Sequence, residues 1–161
     1  MEWSLDFQIV SFVEVSFRVA LACVFGFILG MERTVHHKPL GYRVYIIVSV
    51  ITCLMAIMGL ELNETLRTTT DNMTLDLGKV ISGILMGIGF IGAGAFMQQR
   101  EDHLVGSTTG SCIWASGGMG LLLGFGFYYM ALMGAVVILF VLLGLNRILG
   151  LFMKENRMDN D

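Results

Sequence analysis

The chain has 161 residues, 55% of them hydrophobic and only 14% charged, with a mean hydropathy of +0.75. Soluble chains carry about 25% charged residues, so this composition excludes a water-coated globular domain, and a formal net charge of −3 excludes the basic footprint of a nucleic-acid binder. The 20 glycines and single proline point instead to closely packed membrane helices.

A membrane crossing needs roughly 20 mostly apolar residues. In chain order the apolar runs are 11–31, 44–60, 80–97, 107–123 and 127–145. The first is not a secretory signal, because it is preceded by Glu2 and Asp6, contains Glu14 and has no Lys or Arg before Arg18; it is expected to be retained. The fourth is the weakest, holding Ser107, Thr108, Thr109, Ser111 and Ser116. No charge falls between Leu104 and Asn146, and one helix of that length would measure about 65 Å. The run must therefore fold back, and Gly124–Phe125–Gly126 is the natural turn.

Charge placement gives an orientation. Arg33, Lys38, Arg43, Arg100, Arg147, Lys154 and Arg157 fall on one side, whereas the other side has Arg67 and Lys79. Short basic loops stay cytoplasmic. The expectation is an all-α polytopic membrane protein of about five helices, N-terminus outside and C-terminus cytoplasmic. Residues 1–147 form a single transmembrane domain in this reading, and 148–161 a short cytoplasmic tail.

Cys23, Cys53 and Cys112 lie within apolar runs without C-x-x-C spacing, as small buried side chains do. His36, His37 and His103 fall on connections and read as solvated. Small-xxx-small spacing recurs at Gly26/Gly30, Gly83/Gly87, Gly106/Gly110 and Gly120/Gly124, a pattern that lets helix backbones approach. Along the third run Gly83, Gly87, Gly89, Gly92 and Gly94 are spread around much of the circumference. That distribution suits a central helix touching several others, or one touching a second protomer.

Ionisable groups at membrane depth are costly and often functional. Arg18 lies one turn after Glu14 in the favourable order for an ion pair. Glu32 and Arg33 close the first run and Arg43 opens the second, which places them for one ionic cluster. No Asp or Glu falls near the midpoint of any run, so a path for a hard cation such as Mg²⁺ has few ligands there and no metal ligand set is assigned. There is no nucleophile–base pair, and GIGFIGAG (87–94) lacks the spacing and βαβ context of a dinucleotide fingerprint. The expectation is a protein that is not an enzyme and uses no cofactor.

Five blocks occur in order: RVALACVFGFILGMER (18–33), GYR (41–43), GIGFIGAG (87–94), GSTTGSCIW (106–114) and GMGLLLGFGFYYMA (118–131). Together they resemble the MgtC/SapB family of bacterial inner-membrane proteins. The resemblance implies functional roles for Arg18, for Gly30, Glu32 and Arg33, for Gly41 and Arg43, and for the helix carrying Gly87, Gly92 and Gly94. It extends to Gly106, Thr108, Thr109 and Trp114, and to Asp76, which matches the acidic residue preceding the third span. Val44 stands where the family has threonine, and only 14 residues follow Arg147, whereas longer members carry a C-terminal cytoplasmic domain.

By this resemblance the chain is expected to modulate other membrane complexes, F-type ATP synthase being the suggested target. Its setting would be Mg²⁺ homeostasis, acid stress or virulence adaptation, and its form a lipid-embedded homodimer. Arg18, Glu32, Arg33, Arg43 and Asp76 would form the functional polar cluster, with Gly26, Gly30, Gly83, Gly87, Gly89, Gly92 and Gly94 packing helices. The alternative is a transporter or channel for Mg²⁺ or another small ion, with Thr108, Thr109, Ser111 and Trp114 along a polar path.

Overall fold

The computed structural model describes residues 9–35, 40–69, 74–96 and 107–144, and every regular element within them is a helix. Five helices follow in order: α1 (Phe12–Val35), α2 (Tyr42–Thr69), α3 (Leu77–Phe96), α4 (Ser107–Gly124) and α5 (Tyr128–Leu139), the last continuing into a π-helical turn over Phe140–Gly144. The chain divides into two compact units, one running to Tyr128 and the other from Tyr129. The tail 148–161 and the histidines His36, His37 and His103 lie outside the described residues.

The helix ends follow from local chemistry. The Ser11 hydroxyl accepts the Glu14 N–H at 3.3 Å, an N-cap with glutamate at the third helical position. Asp76 caps α3 in the same way, accepting the Lys79 N–H at 3.2 Å. At the end of α4 the Phe127 N–H reaches the Leu122 carbonyl at 2.8 Å and the Gly126 N–H reaches that of Leu123 at 3.1 Å. With Gly126 at φ +82°, this is the paired C-terminal closure that needs a left-handed residue. The expected turn at 124–126 is thus built around its last glycine.

In the first unit α2 and α4 are the central pair: each touches the other and both α1 and α3. The glycines show how closely they meet. A Cβ on Gly26 would fall 2.8 Å from the Ile46 Cα, and one on Gly30 2.6 Å from the Tyr42 Cα, so α1 descends antiparallel to α2 with backbones in contact. On α4 a Cβ at Gly120 would overlap the Ser49 carbonyl and Thr52 Oγ1, and one at Gly124 the Cys53 carbonyl. Since Ser116 meets Tyr45 farther back, α2 and α4 run parallel. Helix α3 packs antiparallel on α4, Gly92 against Gly110 and Ile88 against Gly117.

Within the first unit the glycine-rich α3 packs mainly on the weakly apolar α4, along one face. Three helices, α1, α2 and α3 (to Ala95), are long and apolar enough to cross a membrane, and Tyr128–Gly144 is apolar but shorter. Only 11% of the most apolar stretch of α3 is buried, against 44% for α2. Around Gly83, Gly87, Gly89 and Gly94 there is open space, so among the described residues Gly92 is the one of that set that packs against a helix. A helix face that meets protein need not be apolar, which is how the buried side of α4 accommodates Thr109, Ser116 and four glycines, Gly110, Gly117, Gly120 and Gly124.

Candidate functional site

Two polar centres sit at opposite ends of the first unit, both anchored on α1. At its N-terminal end Arg18, 7% exposed, is fully engaged. It pairs with Glu14 one turn earlier, donates from Nε to the Tyr128 hydroxyl at 3.1 Å, and donates from Nη1 to the Gly124 carbonyl. The Tyr128 ring lies 5.9 Å from the guanidinium carbon and meets Phe17 edge-on. Gly124 is the last residue of α4, where carbonyls lack helical partners and carry negative partial charge. Arg18 therefore caps α4 from α1 and fixes the turn that follows it. A Cβ on Gly126 would stand 3.1 Å from Arg18 Nη2, a tight approach that adds to the preference for glycine set by φ.

Beside it the chain ahead of α1 is held by α2: the Glu61 carboxylate accepts the N–H groups of Ile9 and Val10 at 3.1 and 2.8 Å.

The second centre lies where α1 ends. Arg33 is 3% exposed, with its guanidinium 3.6 Å from Glu32, whose side chain is also buried. Tyr45 on α2 and Cys112 on α4 face the same pair closely enough to interact with both charges. The Ser116 hydroxyl donates to the Tyr45 carbonyl at 2.7 Å, locking α4 to α2 beside it. Thr109 lies one turn before Cys112 on the same buried face, and Ser49 one turn after Tyr45 on α2.

The sequence-derived cluster thus separates. Glu32 and Arg33 stay together. Arg43 is exposed on the first turn of α2. Asp76 is the exposed N-cap of α3, 3.6 Å from Lys79. Arg18 is fifteen residues before Arg33 on one continuous helix, about 22 Å by helical rise, so the two cannot share a site. The supposed polar path divides as well. Thr109 and Ser116 face inward, whereas Thr108, Ser111 and Trp114 lie on the exposed side of α4. Ser111 and Trp114 line a groove of about 360 Å³ with Gly89, Gly92, Ala93 and Gly110, between α3 and α4. Among the described residues no group of three His, Cys, Asp or Glu side chains is placed to hold a metal ion.

Tyr45, Ser49, Cys112 and Tyr128 were not singled out as site residues, because an apolar run gives no sign of which of its faces meets a charge. Gly120 and Gly124 did carry a signal in their four-residue spacing.

Comparison with known proteins adds the wider context. The model of the MgtC family matches residues 19–150. An uncharacterized protein of Haemophilus influenzae is 34% identical over 122 residues, covering 76% of this chain and 51% of that protein. Protein SapB of Bacillus subtilis is 30% identical over 143 residues, 86% of this chain and 57% of SapB. YhiD of Escherichia coli K12, described as a candidate magnesium transporter, is 30% identical over 125 residues, 78% of this chain and 57% of YhiD. The chain thus spans about half the length of the curated relatives it matches. No solved structure matches it.

Proposed function

The chain belongs to the MgtC family, and from that premise we propose that it is a multi-pass inner-membrane protein of Mg²⁺ homeostasis that modulates another membrane complex through helix contacts. The link to magnesium rests on the family and on the description of YhiD. The target suggested by the family resemblance is F-type ATP synthase, and a homodimer is the expected form. The N-terminus outside and the C-terminus in the cytoplasm fit the distribution of Lys and Arg.

One observation supports the modulator reading: α3 has two small-residue faces, and the described residues use one. Gly92 packs on Gly110, while Gly83, Gly87 and Gly94, within about 40° of one another around the helix, meet no atom of the described residues. Phe90 on that face is 82% exposed. Glycine lowers both helix propensity and apolar area, so lipid alone gives no reason for such a face. Close approach of another transmembrane helix does.

The test uses inverted membrane vesicles. ATP-driven proton pumping should change when the chain is present and return to the chain-free level with Gly87→Leu, which fills the open face without disturbing the fold. Pumping unaffected by the wild-type chain, or affected equally by Gly87→Leu, contradicts the reading.

A further inference from the structure

The glycine contact that joins α3 to α4 leaves a groove beside it. A Cβ on Gly92 would stand 3.4 Å from the Gly110 carbonyl oxygen, and helices that close have no side chain between them to fill the flank. Gly89, Gly92 and Gly110 floor the groove, and Ala93, Ser111 and Trp114 wall it, around a volume of about 360 Å³. Trp114 is half exposed. Because α3 and α4 are antiparallel, moving four residues along α4 from Gly110 to Trp114 moves back four along α3 from Gly92. The indole therefore stands near the level of Ile88.

Size limits the occupant. A helix is about 10 Å across and would exceed this volume in less than one turn, so the groove receives a side chain and not a whole helix. Phe90 has the matching shape. It follows Gly89 on α3, is 82% exposed, and at about 100° per residue stands midway between Gly87 on the open face and Ala93 on the groove wall. It points around the helix from its own groove, yet lies at the same depth in the bilayer. Two copies inserted in one orientation are related by a two-fold axis along the membrane normal, which preserves depth and pairs each Phe90 with the other copy's groove. Met86, Gly89 and Ala93, all exposed, follow the three-and-four spacing of a seam between parallel helices.

In lipid, helix association is driven by packing and not by the hydrophobic effect. An empty glycine groove forfeits dispersion contacts. A lipid acyl chain would fill it only by giving up its torsional freedom, whereas an aromatic ring has two torsions to fix and meets the Trp114 indole as a second aromatic.

We propose that two copies of the chain associate side by side through α3, the Phe90 ring of each seated in the α3–α4 groove of the other. This rests on the homodimer expected above and supplies its surface. The face of Gly83, Gly87 and Gly94 stays available to a different membrane complex.

The experiment is energy transfer between donor- and acceptor-labelled copies of the purified full chain, labelled at the N-terminus, in phosphatidylcholine vesicles over a range of protein-to-lipid ratios. Wild type should show saturable transfer above the level of random proximity. Phe90→Ala removes the ring, and Gly89→Leu fills the groove at a position where a Cβ meets no atom of the described residues. Each should weaken association by about tenfold for each of the two symmetric contacts. Phe12→Ala, which removes a ring exposed elsewhere on the unit, and Gly87→Leu should leave it unchanged. Mixing Phe90→Ala with Gly89→Leu restores one intact contact, so the mixed pair should associate about tenfold more tightly than either variant does with itself. A general loss of folding would not produce that rescue. Transfer at the random level in wild type, transfer unaffected by Phe90→Ala, or a mixed pair no tighter than the single variants overturns the proposal. Dimers that form as described without any effect on proton pumping contradict the modulator reading alone, and a monomer that alters pumping contradicts the dimer alone.

Discussion

Replacing Gly120 with alanine isolates the contact on which the central helix pair depends. In a helix, alanine is favoured over glycine by about 1 kcal/mol, so an unobstructed position should gain stability from the change. At Gly120 the added methyl carbon would overlap the Ser49 carbonyl and Thr52 Oγ1. The first is backbone, and the second already bonds the Val48 and Ser49 carbonyls, so neither yields cheaply. Gly87, on the open face of α3 with nothing within 4 Å of a Cβ, provides the matched control. Both substitutions carry the same gain in propensity, and their difference reports the steric contribution alone. Overpacking of this kind costs typically about 1–3 kcal/mol. Taking about 2 kcal/mol, Gly120→Ala should melt about 4–8 °C below Gly87→Ala. The assay is thermal unfolding of both variants in the same detergent, followed by circular dichroism. Equal midpoints would refute the close parallel packing of α2 on α4.

Other substitutions probe the remaining ties. Arg18→Met leaves the Gly124 carbonyl and Glu14 without their partner, and should lower stability by about 2–4 kcal/mol, read as a lower melting midpoint; Tyr128→Phe, losing one hydroxyl, should cost about 1 kcal/mol. Glu61→Ala frees the Ile9 and Val10 N–H groups and should cost about 0.5–2 kcal/mol, the range of a helix cap, with faster proteolysis ahead of Phe12 as a second readout. Ser116→Ala removes the buried bond to the Tyr45 carbonyl and should lower the midpoint by about 1 kcal/mol, whereas Thr108→Ala on the exposed side should change it by less than about 0.5 kcal/mol.

The helices were largely legible in the sequence because apolar length is a direct consequence of bilayer thickness. Runs at 11–31 and 80–97 became α1 and α3 with ends shifted by a few residues, and the turn at Gly126 followed from glycine's freedom at positive φ. Helix α2 runs nine residues past the apolar limit at Leu60, to Thr69, because Glu61, Asn63 and Glu64 are good helix-compatible residues at a wet end. They find local work there, such as Glu61 on Val10 and Asn63 on Leu75.

The order of burial was not legible. Hydropathy measures compatibility with lipid, so it ranked α4 weakest although one side of that helix, with Thr109 and Ser116, packs on protein. Glycine content misled in the same sense. A glycine serves a close approach inside the chain or outside it, and only coordinates distinguish Gly92 and Gly120 from Gly83 and Gly87. Of the polar residues singled out, Arg18 and Arg33 lie fifteen residues apart on one helix, while Glu32 and Arg33 stand together. Asp76 was visible as an acidic residue before an apolar run, which is also the signature of the N-cap it provides.

The central claim is that this chain acts through helix contacts and does not itself carry ions. Flux into sealed liposomes containing only the purified chain tests it most directly, with a Mg²⁺-sensitive dye inside and a Mg²⁺ gradient across the bilayer. The account predicts entry no faster than in protein-free liposomes. Saturable entry that Glu32→Gln abolishes would contradict it and place the buried pair of Glu32 and Arg33 on a conducting path.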